Sequence, residues 1–86
     1  MSPKALKTLQ EAADYVAGEN RKGTASELII LAMIKHFGAK RWDSGYTGHK
    51  LRCGTVTASC TTSRDRGLLA AWNRNATIRL AREAMA

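Results

Sequence analysis

The segment Lys50–Cys60 leaves this chain the least freedom. Its apolar residues alternate, with Leu51 and Cys53 at odd positions and then Val56, Ala58 and Cys60 at even ones. Alternation of period two marks a strand with one buried face. The phase changes at Gly54-Thr55, so a single flat strand would turn half of its apolar set toward water. A two-residue hairpin turn at Gly54-Thr55 removes the conflict, with glycine first as a type II′ turn prefers. Cys53 then faces Val56, Arg52 faces Thr57, Leu51 faces Ala58 and Lys50 faces Ser59. Opposed residues share a face. Leu51, Cys53, Val56, Ala58 and Cys60 therefore form an apolar side, and Lys50, Arg52, Thr57 and Ser59 a polar, basic side. The competing arrangement is one long strand with Gly54 as a bulge.

Helical spacing dominates on both sides of this hairpin. Ser2-Pro3 reads as an N-cap followed by proline at the first helical position, where its missing N–H costs nothing. Leu6, Leu9, Ala13 and Val16 then form one apolar stripe, and Gly18 is the predicted stop. Glu19–Gly23 reads as a polar connector. Thr24-Ala25-Ser26-Glu27 has capping-box spacing and predicts a second helix over Leu28–Phe37 ending at Gly38. Ile30, Met33, Ile34 and Phe37 form its main stripe, but Leu28, Ile29 and Leu31 make it apolar almost all round. Such a helix is buried on more than one side, so it is either the central core helix or a homodimer surface. Asp43-Ser44-Gly45 and Thr47-Gly48 are turn signals, with room for a short strand near Arg41–Tyr46. A final helix follows, capped by Ser63, with Asp65 in its first turn where the helix dipole favours an anion. Leu68, Leu69, Trp72, Ala76 and Leu80 fall on one arc of it. Arg66, Ala70, Asn73, Arg74, Thr77 and Ala81 fall on the opposite arc. The prediction is a single α+β domain over residues 1–86, ordered α-α-β-β-α: two N-terminal helices, a small antiparallel hairpin or sheet, and a long C-terminal helix.

Charge divides the chain. The net charge is +7, and all of the excess lies in residues 35–86, which hold ten Lys/Arg against three acidic residues. Residues 1–34 are balanced, four basic against four acidic, as suits a scaffold or an oligomer contact. A field of one sign concentrates anionic partners, which makes nucleic acid or an acidic host protein the expected partner. The run Leu28–Ile34 is too short to span a bilayer, and Met1–Lys7 is not followed by an apolar signal region. With two cysteines and no disulfide framework, a cytoplasmic, reduced protein with no membrane partner is expected.

Catalytic and metal chemistry is thin. The sequence contains no HExxH, no phosphate loop and no nucleophile elbow. The hairpin register would set His49 beside Cys60, but Cys60 falls on the apolar side, which predicts an inert core thiol. His36, His49, Cys53 and Cys60 are zinc-ligand types, yet their spacing matches no compact zinc pattern. No cofactor, no metal and no enzymatic activity are therefore expected. The basic surface is the stronger signal. Arg64 and Arg66 open the last helix, where backbone N–H groups also favour anions. Asn73, Arg74 and Thr77 project from its outer face with residue types that read base edges. Lys50 and Arg52 can add phosphate contacts. Arg41, Trp42 and Tyr46 are types enriched in protein interfaces.

Two resemblances bear on function. Helix, strands and helix in that order, with arginines opening the last helix, look like the double-stranded-RNA-binding domain. Gly54-Thr55 and Ser63-Arg64-Asp65-Arg66 are similar to its final strand and basic helix start, although the expected lysine pair is absent. The stretch Val56-Thr57-Ala58-Ser59-Cys60-Thr61-Thr62-Ser63, followed by Leu68-Leu69-Ala70-Ala71-Trp72, resembles small accessory proteins of Mu-like transposable phages and prophages. That resemblance covers under a third of the chain and implies a role in phage regulation or in interference with a host system. The expected function is nucleic-acid binding through the last helix and the outer hairpin face. The alternatives are an inhibitor or modulator of a host protein, anti-CRISPR-like or anti-regulator in kind, and a structural oligomer.

Overall fold

The computed structural model describes residues 2–43, 45, 48–61 and 64–85, with the side chain of Arg64 outside that description. The elements are α1 (Pro3–Lys22), α2 (Ser26–Phe37), β1 (Lys40–Asp43), β2 (His49–Cys53), β3 (Val56–Cys60) and α3 (Arg64–Met85). The three strands form one antiparallel sheet in the order β1-β2-β3. The class is α+β as the sequence predicts, with the short extra strand realised as β1.

The hairpin register is the one the alternation demands: Cys53 opposite Val56, Arg52 opposite Thr57, Leu51 opposite Ala58, Lys50 opposite Ser59. The turn itself differs from the expectation. Gly54 has φ 56° and Thr55 has φ 70°, and left-handed backbone at both central positions is the signature of type I′ rather than II′. A β-branched residue in that region is strained, and Thr55 is the only non-glycine among the described residues with positive φ. Gly54 has a second constraint. A Cβ there would sit 3.1 Å from Cα of Leu9, so the hairpin tip closes directly on α1.

α3 is the central element. It lies along β3 and β2 on the apolar side of the sheet and touches both α1 and α2. Leu68, Leu69, Trp72 and Ala76 are buried on it, the arc that the periodicity picks out. Trp72 is fully buried, and its indole Nε1 donates to the carbonyl oxygens of Cys53 and Val56, each at 3.2 Å. Those are the residues flanking the hairpin turn. Three turns of chemistry thus meet at one side chain: apolar burial, two hydrogen bonds and the closure of the hairpin. Asn75 adds a third tie, its Nδ2 donating to the carbonyl of Thr57 at 3.2 Å.

The N-terminal helices depart from expectation in three places. α1 starts as predicted, with the Ser2 hydroxyl accepting from the Ala5 N–H at 3.2 Å and Pro3 in the first turn. It does not stop at Gly18 but runs to Lys22, where Gly23 caps it at φ 81°. A helix passes through one glycine for about 1 kcal/mol, less than the loss of a further turn. Its buried residues are Leu9, Ala12 and Val16, with Ala13 only partly covered. The capping box at Thr24 does not form. α2 begins at Ser26 behind Ala25, with no side-chain cap, and the Thr24 hydroxyl donates to Oε1 of Glu19 at 3.4 Å instead. Finally, α2 is not the central core helix. It buries Ile29, Ile30 and Met33 on one side, while Ile34 from the predicted stripe is 41% exposed.

Two stability outcomes follow from the hairpin anchor. Trp72→Phe keeps most of the ring volume and removes the donor, so chemical denaturation should show a loss of about 2 kcal/mol from the lost indole hydrogen bonds to the second lone pairs of two carbonyls and from the void left by the smaller ring. Thr55→Gly removes left-handed strain from a β-branched residue and should raise stability by about 0.5–1 kcal/mol. An unchanged denaturation midpoint for both would show that the turn and its indole anchor carry no stability.

Candidate nucleic-acid interface

The sheet has one face turned away from α3. Two cross-strand rows cover it, Trp42–Lys50–Ser59 and Lys40–Arg52–Thr57. Every strand residue of this face is polar, basic or aromatic, and none is acidic. Trp42 is 41% exposed, and Lys40, Arg52, Thr57 and Ser59 are exposed as well. Lys40 stands directly opposite Arg52, a like-charge pair that costs stability. None of Lys40, Lys50, Arg52 and Arg74 has an acidic partner within the chain among the described residues. A depression of about 340 Å³ opens beside the Lys40–Arg52 pair, floored by Gly38 and by Gly54-Thr55.

This surface continues around β3, an edge strand. The two-residue turn makes Cys53 and Val56 the first bonded pair, so the backbone groups of Thr57 and Ser59 point to the open edge. The Asn75 bond to the Thr57 carbonyl is made on that edge. Two grooves separate the edge from α3. One, of about 510 Å³, is lined by Ser59–Thr61, Gly67, Ala70, Ala71 and Arg74. The other, of about 320 Å³, runs between Thr55–Thr57 and Asn75, Ile78, Arg79 and Arg82. Small residues on α3 open the first groove, and arginines line both.

The sequence-predicted residues separate into groups. Lys50, Arg52 and Arg74 belong to this continuous surface, and Arg66 is exposed at the start of α3. Asn73 is half-buried, and the Thr77 hydroxyl donates to the Asn73 carbonyl at 2.8 Å, so its donor is satisfied within the helix. Tyr46, the Ser63 cap and the Arg64 side chain lie outside the described residues. Trp42 joins the basic face rather than a separate interface, whereas Arg41 points to the other side. Its Nε donates to Oδ1 of Asp65 at 2.8 Å, and its Nη1 lies 3.4 Å from Oδ1 of Asp43. Lys40, Arg79 and Arg82 were missed by the sequence reading. The β1 register exposes Lys40, and the helical spacing of Asn75, Arg79 and Arg82 is the signal that would have found the others.

On the apolar side, Asp43, His49 and Cys60 form one row across the three strands. Nδ1 of His49 lies 2.5 Å from Oδ1 of Asp43. The same carboxylate meets Arg41, which bridges to Asp65 on α3, so the row clamps the β1 end of the sheet to the helix. Cys53 and Cys60 sit at opposite ends of the hairpin, and neither is in a disulfide. His36 is exposed on α2. Among the described residues no group of three or more His, Cys, Asp or Glu side chains is placed to hold a metal ion. No helix among them is long and apolar enough to cross a membrane. No family model, curated protein or solved structure matches the chain.

The two thiols should behave differently. Burial pushes the Cys53 thiol up to about 11 from its ordinary value of 9.0, while Cys60 opens on the groove beside Arg74. Near pH 8 a disulfide reagent should titrate Cys60 in the native protein and Cys53 only after unfolding. Because folding holds the Cys53 proton that the unfolded chain releases, stability should fall as pH rises from about 9 toward 11. Equal labelling rates for both thiols would refute this picture.

Proposed function

We propose that this protein binds nucleic acid across the outer sheet face and the arginine-lined edge of β3. The observation that carries the reading is the outer face itself: Lys40, Lys50 and Arg52 around an exposed Trp42, with no carboxylate among the strand residues of that face. The opposed Lys40 and Arg52 repel one another until an anion lies between them. A phosphate chain supplies that anion, and the depression beside the pair has room for a phosphate group. Trp42 supplies a surface on which an unpaired base can stack, a contact worth about 1–3 kcal/mol per base. Cations tracking a backbone beside an aromatic platform suit a single strand better than a duplex groove reader. Arg66 and Arg74 on α3 extend the phosphate path around the β3 edge.

The activity is one of binding, not catalysis. His49 pairs with Asp43, and Arg41 ties that carboxylate to Asp65 on α3; the cationic outer face, not this row, supports the reading. The accessory role in a phage genome that the sequence resemblance implies fits a small cation-rich binder of this kind. A second reading, a modulator of a host protein, is favoured by the open β3 edge. An acidic peptide could add there as a further strand, flanked by Arg74, Arg79 and Arg82.

Trp42 makes the test direct, because the other tryptophan, Trp72, is fully buried. Single-stranded oligonucleotides should quench the Trp42 emission, and affinity should fall steeply with salt as counterions are released. Trp42→Ala should weaken binding roughly tenfold or more. Arg52→Ala with Lys50→Ala should weaken it and flatten the salt slope, while Lys4→Ala with Lys7→Ala should change little. No quenching at low salt, or a flat salt response, would sink the proposal. An acidic peptide that binds where oligonucleotides do not would favour the second reading.

A further inference from the structure

The solvent side of α2 carries an apolar stripe that the fold leaves uncovered. Leu28 is 55% exposed, Leu31 59% and Ile34 41%. Every other large apolar side chain exposed among the described residues stands outside this helix. At about 100° per residue, Ile34, Leu31 and Leu28 span an arc of about 120° centred on Leu31. Glu27 and Lys35, both exposed, sit one turn to either side of Leu31 on the same arc. Neither has an ion-pair partner within the chain among the described residues.

This stripe reads the same in both directions about Leu31. Three residues away lie Leu28 and Ile34, both aliphatic. Four residues away lie Glu27 and Lys35, of opposite charge. We propose that α2 packs antiparallel on α2 of a second copy of this chain, across a two-fold axis at Leu31. Leu31 then meets the partner's Leu31, Leu28 meets the partner's Ile34, and Glu27 meets the partner's Lys35. The two-fold makes each of the outer contacts twice, as an isologous interface requires. A parallel pairing in the same register would set Glu27 beside the partner's Glu27 and Lys35 beside the partner's Lys35, so the charges select the antiparallel arrangement.

Two further observations point to a second copy. A groove of about 330 Å³ runs along the Glu27 flank, between Ile30 and Ile34 on α2 and the Arg41–Asp65 pair. A two-fold between antiparallel helices keeps like flanks together, so it lays the partner's Ile34 over this groove, an aliphatic side chain beside Ile30. The charge distribution also permits the approach. The net +7 resides in residues 35–86, while residues 1–34, which supply most of α2, are balanced. Two copies that repel through their sheets and α3 helices can meet at α2.

Sedimentation equilibrium on the full chain, free of nucleic acid, tests this independently of the proposed function. The mass should rise to that of a dimer with concentration. Leu31→Lys alters an exposed side chain, so it should give a monomer whose thermal melt matches that of the parent diluted until it too is monomeric. Glu27→Lys and Lys35→Glu should each weaken the dimer roughly five- to tenfold, since each places like charges at both ends of the interface. The double variant Glu27→Lys/Lys35→Glu re-forms the opposite-charge pairs and should return to within about twofold of the parent. A monomer at every concentration, a dimer indifferent to Leu31→Lys, or a double variant no stronger than the single ones would each overturn the proposal.

Discussion

The rest of the fold depends on one indole. Trp72 sits in the middle of α3 and donates to both carbonyls that flank the hairpin turn, at 3.2 Å each. A fully buried tryptophan contributes a large apolar area, but its N–H must find an acceptor when it leaves water. Strand carbonyls beside a tight turn offer a second lone pair after pairing across the hairpin. The helix thereby fixes the hairpin tip, and the tip in turn closes on α1 through Gly54, where only a missing side chain allows the approach to Leu9. Three elements distant in sequence are held in one register by this contact. A chain of 86 residues has only a thin core, so a contact shared by three elements weighs heavily in it.

That anchor also decides which face of the sheet is left to solvent. Because α3, with Trp72 and Asn75, takes the apolar side of the hairpin, the polar side is free on every strand. β1 then pairs with β2 and brings Lys40 opposite Arg52 and Trp42 opposite Lys50. Folding thus gathers cations from two strands that the sequence keeps about ten residues apart. It accepts a like-charge pair in doing so, a cost with no structural return. The clamp of Arg41 on Asp43 and Asp65 works on the other side of the same strand. Neighbours along β1 consequently have unlike roles: Arg41 holds the sheet to the helix, while Lys40 and Trp42 face outward.

Much of this was legible in the sequence, and the limits have physical causes. The hairpin register followed from the phase change in Leu51–Cys60, since only one pairing keeps both strands apolar on one side. The buried arc of α3 followed from spacing alone. Gly18 misled because the penalty of a mid-helix glycine is small beside the gain of a continued helix. The turn type misled because Gly54 suits either primed turn, and only tertiary packing, here against Leu9, selects the one that strains Thr55. The Thr24 box misled because Glu19, at the end of the preceding helix, offers the hydroxyl a different acceptor. The residues of the proposed surface were half legible. Lys50 and Arg52 declared themselves through alternation, but placing Lys40 and Trp42 beside them needs the β1–β2 register, which a turn-rich segment does not encode locally.

α2 shows the same limit from the other side. Its sequence is apolar nearly all round, and a hydropathy pattern cannot say whether the second side is covered by the chain or by another molecule. The fold answers half of the question by giving the central position to α3 and leaving Leu28, Leu31 and Ile34 in water. The other half lies in the order of charges along the helix. Acidic before and basic after an aliphatic stripe also suits the helix dipole, which favours Glu27 at the N-terminus and Lys35 at the C-terminus. The same arrangement that stabilises a single helix therefore makes it self-complementary when two lie antiparallel. A neutral N-terminal half that joins copies and a basic C-terminal half that faces outward would give one short chain two separate tasks, with the Trp72 anchor holding the halves together.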